Sequence, residues 1–331
     1  MGIFVFLPLV LPLTAWPVAR LAAHRLHPRT ATRLLTCVAA VMAVCSTVCL
    51  ALLMVVGTAQ LPGNPLPDGW SDPEVRAAVP QDEIAGKAAI PALLAVIAAC
   101  VRTLWRHFTL RRRAHAALAG LPATQVAVLP DPQAYAYALP GGGRGGRGGR
   151  GGRGGRGGRG GRGGRGRIVV SSALLDRLAP AERRALFAHE RAHLTARHHR
   201  QLLTVRLAAR ANPFLRPLSS AVAYTAERWA DEEAAALVGD RKVVARAIGK
   251  AALSTGGPRE PLFAAFAAPG PLPRRVAALL APPPTAQGRA TAFTSVGLAT
   301  WTAGFGAAAS AMSSANSALT LAATLHAATP L

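Results

Sequence analysis

His189 and His193 stand four residues apart in the stretch Leu186–His199, LFAHERAHLTARHH, with Glu190 directly after the first. At 3.6 residues per helical turn the two imidazoles share one face, one turn apart, and can converge on a single ion. Glu190 lies beside them, within reach of a water at that ion without being a ligand itself. This is the H-E-x-x-H pattern, two zinc ligands and a general base on one turn of helix. The bland alternative is the polar face of an arginine-rich helix, so the pattern needs partners elsewhere in the chain.

A catalytic zinc takes three protein ligands and keeps one position open. The stretch Ser219–Asp240, SSAVAYTAERWADEEAAALVGD, reads as a helix with Ser219 or Ser220 as cap and Gly239 as stop. It carries Glu227 and Asp231 one turn apart. Glu227 could ligate the ion while Asp231 orients His189 or His193 from behind. The opposing reading is a solvated acidic helix, since Asp231, Glu232 and Glu233 are adjacent. An oxyanion stabiliser is also required. Tyr224, one turn before Glu227, and His198 are the candidates, and each reads equally well as a packing or surface residue.

Stepping outward, Pro180–His199 reads as one continuous helix, with proline at its first position and Glu182 in its first turn. His198 and His199 would form its cationic end. Leu272–Leu280, LPRRVAALL, reads as a short closing helix with its Leu and Val packed inward and no chemistry assigned to it.

Four apolar runs place this site at a membrane. They give spans at about 2–19, 34–59 and 84–105, and a last one within 290–331. Basic residues follow the first run rather than precede it, so a retained span is expected there instead of a signal peptide. The Arg20–Arg33 loop is basic, Leu61–Glu83 is acidic, and Arg102–Arg113 is basic again. The positive-inside rule therefore puts residues 106–289 in the cytoplasm and both termini outside. Cys37, Cys45, Cys49 and Cys100 all fall in these runs and read as small packing residues.

The formal charge of +23 is partly local. Gly142–Arg165 is a strict Gly-Gly-Arg repeat, and without its arginines and Arg167 the charge is +14. Glycine this dense cannot offset the entropy of ordering a core, so a disordered insert is expected over 141–167. It joins two strand-like segments, QVAVLPDPQAYAYALPG and RIVVSSALL, and so reads as a long hairpin loop. Nucleic acid is not its expected partner.

Taken in order, AYALPG, RIVVSSALL, LAPAERRALFAHERAHL and ERWADEEAA resemble the membrane-embedded zinc metalloproteases of the beta-lactam sensor-transducer type, and more distantly the HtpX and CAAX-prenyl-protease group. The resemblance covers roughly Val126–Leu280. It implies one Zn2+ per chain held by His189, His193 and Glu227, with Glu190 as base and Asp231 behind the ligands. It also implies a mostly α architecture: transmembrane helices plus a cytoplasmic α+β domain of the gluzincin type with a small β-hairpin or sheet. The expected activity is endopeptidase cleavage of a protein substrate, with a transcriptional repressor as the analogous target. The rival readings are an HtpX-like quality-control protease, and an inactive scaffold whose arginine–glycine loop recruits RNA or anionic lipid. The sensors carry a penicillin-binding domain after their last span, and no such domain follows here, so direct beta-lactam sensing is not expected. If the repeat is a passive loop, deleting Gly142–Arg165 will leave peptide hydrolysis by the purified protein within about twofold of wild type, because closure cost varies only slowly with loop length.

Overall fold

The computed structural model describes residues 6–59, 61, 70, 82–122, 124–141, 166–254, 272–284 and 295–327. The Gly-Gly-Arg repeat and most of the acidic Leu61–Glu83 loop lie outside them. In chain order the elements are α1 (Leu7–Val10), a 3-10 turn (Leu11–Thr14), α2 (Ala15–Arg25), α3 (Pro28–Ala59), α4 (Asp82–Ala117), β1 (Val126–Leu129), β2 (Ala136–Leu139) and β3 (Arg167–Ser171). There follow α5 (Ser172–Arg177), α6 (Pro180–Thr195), α7 (His198–Ala211), a second 3-10 turn (Pro213–Leu215), α8 (Arg216–Val238), α9 (Arg241–Ser254), α10 (Leu272–Leu280) and α11 (Ser295–Ala327). They group into two compact units: Met1–Arg106 with Arg200–Ala226 and Pro284–Leu331, and His107–His199 with Glu227–Pro283.

In the first unit, α3 and α4 are long and apolar enough to cross a membrane. Both overrun their expected limits, α3 starting at Pro28 and α4 continuing to Ala117. The first apolar run is helical in pieces, because Pro8, Pro12 and Pro17 interrupt it. Pro12 has no N–H to give the Pro8 carbonyl four residues back. Ser46 of α3 supplies the missing donor, its hydroxyl 2.7 Å from that oxygen, and Asn212 Nδ2 donates in turn to Ser46 at 3.0 Å. Buried Cys45 and Cys49 pack as expected, whereas Cys37 is exposed.

Helix α11 is patterned inside out. Ser310, Ser314, Ser317 and Leu321 are buried, while Phe305, Met312 and Leu319, seven residues apart, are at least 73 % exposed. Small residues face neighbouring α3, where Ser314 Oγ donates to the Cys45 carbonyl at 3.4 Å. Helices α3 and α4 meet at a pair of glycines: a Cβ on Gly57 would lie 2.2 Å from the Gly86 carbonyl carbon.

The second unit holds a three-stranded mixed sheet in the order β1-β3-β2. The expected hairpin is present as antiparallel β2–β3, with Leu139 opposite Arg167. The segment read as one strand before the repeat is two, because Pro130 and Pro132 break it, and β1 pairs in parallel with β3. Helix α6 also ends sooner than expected. It stops at Thr195, and Arg197 adopts φ 55°, a left-handed conformation that reverses the chain into α7. At its other end Glu182 accepts from the Ala179 N–H at 2.8 Å and from Lys250 of α9 at 2.7 Å, tying α6 to α9.

Gly57→Ala cannot fit without separating α3 from α4, whereas a Cβ on Gly249 of α9 meets no described atom within 4 Å. Thermal unfolding in detergent should therefore show a marked loss for Gly57→Ala and a gain of about 0.5–1 kcal/mol for Gly249→Ala.

Candidate metal centre

Helix α6 carries His189, Glu190 and His193, and α8 carries Glu227 and Asp231. The histidines face one another across a single turn, Nε2 to Nε2 at 3.1 Å. The Glu227 carboxylate closes the triangle, 3.5 Å from His189 Nε2 and 3.4 Å from His193 Nε2. Two ligand atoms of a tetrahedral zinc, each bonded at about 2.0–2.1 Å, stand about 3.3 Å apart. The three edges match that spacing, and a two-imidazole, one-carboxylate donor set is the catalytic type with one position left open.

The far nitrogen of each ring is also accounted for. His189 Nδ1 lies 3.0 Å from Asp231 Oδ1, close enough for an ion pair though away from the in-line hydrogen-bond direction. Burial alone would lower the His189 pKa, but Asp231 and Glu227 outweigh it and carry the metal-free imidazole up to about 10. For His193 burial is the largest effect, the charges of His189 and Arg275 add to it, and together they outweigh Glu227 and Asp231 and bring the imidazole down to about 4. Behind His193 stands His198, Nδ1 to Nδ1 at 2.8 Å, with its ring at 4.7 Å from Trp229.

Glu190 is buried, and burial pushes its carboxyl up to about 7 against the pull of His189 and Arg275. The backbone of Ala138 in β2 adds a smaller effect in the same direction as that pull. Glu190 lines a cavity of about 270 Å³ together with His189, Glu227 and Arg275 and the apolar Leu186, Val244 and Ile248. A carboxylate poised near neutrality beside a metal-shaped donor set is suited to moving a proton between a water and a leaving group.

Sequence reasoning missed Arg275. The helix expected to have no chemistry, α10, sends it into the centre of the site. Its Nη1 lies 2.9 Å from Glu227 Oε2, and its Nε and Nη2 bond both Asp231 oxygens at 2.8 and 2.7 Å. Burial opposes both carboxylates, yet the guanidinium overrides it and holds Glu227 and Asp231 below the usual range. The doubled arginine in LPRRVAALL was the available signal: Arg275 falls on the same face as Leu279, which is buried.

The oxyanion candidates are placed differently from one another. His198 is buried behind His193, and Tyr224 is buried in α8; neither lines the cavity. The tyrosine that does line it is Tyr135, where burial first and Asp131 second push the phenol up to about 12.

Residues 157–211 match the profile of Peptidase family M48. That match takes in β3, α6 and both histidines and ends before Glu227. No curated protein and no solved structure matched the chain. Family match and donor geometry agree: the chain is a zinc metallopeptidase with an H-E-x-x-H site and a distal glutamate.

Removing Arg275 would leave two buried carboxylates with the His189 imidazolium as their one remaining cation among the described residues. Arg275→Met should destabilise the metal-free second unit by about 3–5 kcal/mol, read from thermal unfolding with chelator present. Arg275→Lys should recover only part of this, since one ammonium cannot span Asp231 and Glu227 together.

Proposed function

We propose that this M48-type zinc metallopeptidase is an integral-membrane endopeptidase that hydrolyses peptide bonds of protein substrates at the cytoplasmic face. The observation that carries the reading is the triangle of His189, His193 and Glu227, with Glu190 lining one cavity together with His189 and Glu227. Zinc held by His189, His193 and Glu227 would supply Lewis acidity to a substrate carbonyl and to a water. Glu190 accepts the proton of that water and passes it to the departing amine nitrogen, shielded from bulk solvent by the apolar cavity wall. Asp231 holds the His189 imidazole in orientation from behind.

Membrane integration rests on two features. The apolar window of α4 is only 17 % buried within the chain, so lipid is the medium that removes it from water. The inverted face pattern of α11 adds a further span, and the proline-broken first run is taken as the remaining one. The loop charges orient the second unit to the cytoplasm with both termini outside.

The analogy with the sensor-transducers makes a transcriptional repressor the regulatory substrate. A second reading, quality control of membrane proteins, is favoured by the M48 match, the family of the HtpX-like proteases. Accumulation of one soluble regulator in cells carrying Glu190→Gln supports the first reading, and accumulation of many damaged membrane proteins supports the second.

For the activity itself, purified wild type should bind one zinc per chain, lose hydrolysis on chelation and regain it with zinc. Glu190→Gln should keep the zinc and lose at least about a hundredfold in turnover of an unstructured protein substrate. Unchanged turnover in that variant would remove the protease reading.

A further inference from the structure

His198 has a chemistry that its sequence neighbours do not suggest. It is 1 % exposed, yet it is the first residue of α7 and follows a left-handed residue, Arg197. In one uninterrupted helix, residues five apart lie about 140° apart around the axis and cannot face each other. The break after Thr195 folds the chain so that they do, and His198 Nδ1 comes to 2.8 Å from His193 Nδ1.

Two ring nitrogens at that distance need one hydrogen between them. With His193 Nε2 turned to His189 and Glu227, its lone pair there is committed to the ion and its hydrogen must sit on Nδ1. His193 is therefore the donor, and His198 Nδ1 must be the acceptor. The hydrogen of neutral His198 is then forced onto Nε2, an atom that is buried with no hydrogen-bond partner among the described residues. A buried orphan of this kind costs about 1–3 kcal/mol. A leucine could fill the space beside Trp229 without that cost, so packing does not explain the residue.

We propose that His198 is a positioning residue for the metal ligand His193, locked in its Nε2-protonated tautomer so that Nδ1 accepts the His193 Nδ1 hydrogen and aims the opposite nitrogen at zinc. The proposal rests on the zinc reading of the site. It assigns His198 to orientation of a ligand from behind, not to contact with substrate, and it accounts for the reversal at Arg197 that brings the two rings together.

Side-chain geometry supplies the test. Asparagine carries its amide oxygen one bond from Cγ, where histidine carries Nδ1; glutamine carries its amide one bond farther, where histidine carries Nε2. His198→Asn therefore keeps an acceptor in place, while His198→Gln and His198→Leu do not. Zinc affinity of the full-length protein in detergent is measured by competition with a chromogenic chelator, and the melting temperature is measured for the metal-free form. Leucine and glutamine should weaken zinc 10- to 100-fold, asparagine should remain close to wild type, and metal-free leucine should melt no lower than wild type. Equal zinc affinity in all four proteins overturns the proposal. So does a loss in asparagine as large as in leucine, or zinc losses that track falls in metal-free melting temperature, since those mark a packing role. If wild type itself binds no zinc, the site reading fails along with the proposal; if wild type binds one and the variants match it, only the positioning role is lost.

Discussion

The second unit is organised around a problem of buried charge. Glu190, Glu227 and Asp231 all lie in or beside one cavity, each at most 8 % exposed, and three carboxylates so placed repel one another in a medium that screens poorly. Ionised carboxylates persist in such a place only with cations and donors set against them. Arg275 is that cation for two of them, fork against fork with Asp231 and one further contact to Glu227. Glu190 has weaker support, the more distant charges of His189 and Arg275, and is accordingly the one pushed toward neutrality. The same compensation thus separates a carboxylate kept ionised beside the two imidazoles from one pushed toward neutrality.

Helix α10 has to be anchored for this to work, and it is held beyond the site as well. Arg241, at the start of α9, donates to the carbonyls of Leu279 and Ala278 in its last turn, at 3.0 and 2.9 Å, and pairs with Glu232 of α8. Val276 and Leu279 pack with Ala185 and Ala188 of α6. A nine-residue helix would be marginal alone. Here both its charge and its carbonyl end are taken up by the elements that carry the ligands, so folding of α10 and completion of the site are one event.

What could be read from the sequence follows from this arrangement. His189 with His193, and Glu227 with Asp231, are pairs within single helices, so a 3.6-residue period suffices to bring their side chains together. The short apolar runs RIVVS, rich in β-branched residues, and AYAL likewise announced two strands. Arg275 lies 44 residues from Asp231, and no local periodicity reports so distant a contact. The end of α6 was hidden for a different reason. A helix stop is usually written as glycine or asparagine, whereas an arginine occupies the left-handed position here and the apolar pattern continues past it. Reading through that stop made His198 the tail of a cationic helix end. The structure makes it the buried first residue of the next helix. For α11 the sequence announced a span within 290–331, and the packed neighbour adds which face is which, small residues inward and Phe305, Met312 and Leu319 outward.

The position of the Gly-Gly-Arg repeat can be argued from its borders. It leaves β2 at Leu139 and returns at Arg167, and those two residues are partners in the antiparallel ladder. Arg111 of α4 grips the carbonyls of Pro140 and Gly141, and Arg167 donates to Pro122 and Thr124 at 2.7 and 3.0 Å. Both ends are therefore fixed by the sheet and its flanks before the repeat begins. The entropy of closing a loop between fixed ends grows only with the logarithm of its length, about 0.6 kcal/mol per doubling. A hairpin so tied can lengthen without moving Ala138, and Ala138 is the strand residue whose backbone acts on Glu190. Ala138 sits one residue of strand away from the tied end, and the hydrogen bonds at that end hold the strand in place whatever the length of the insert.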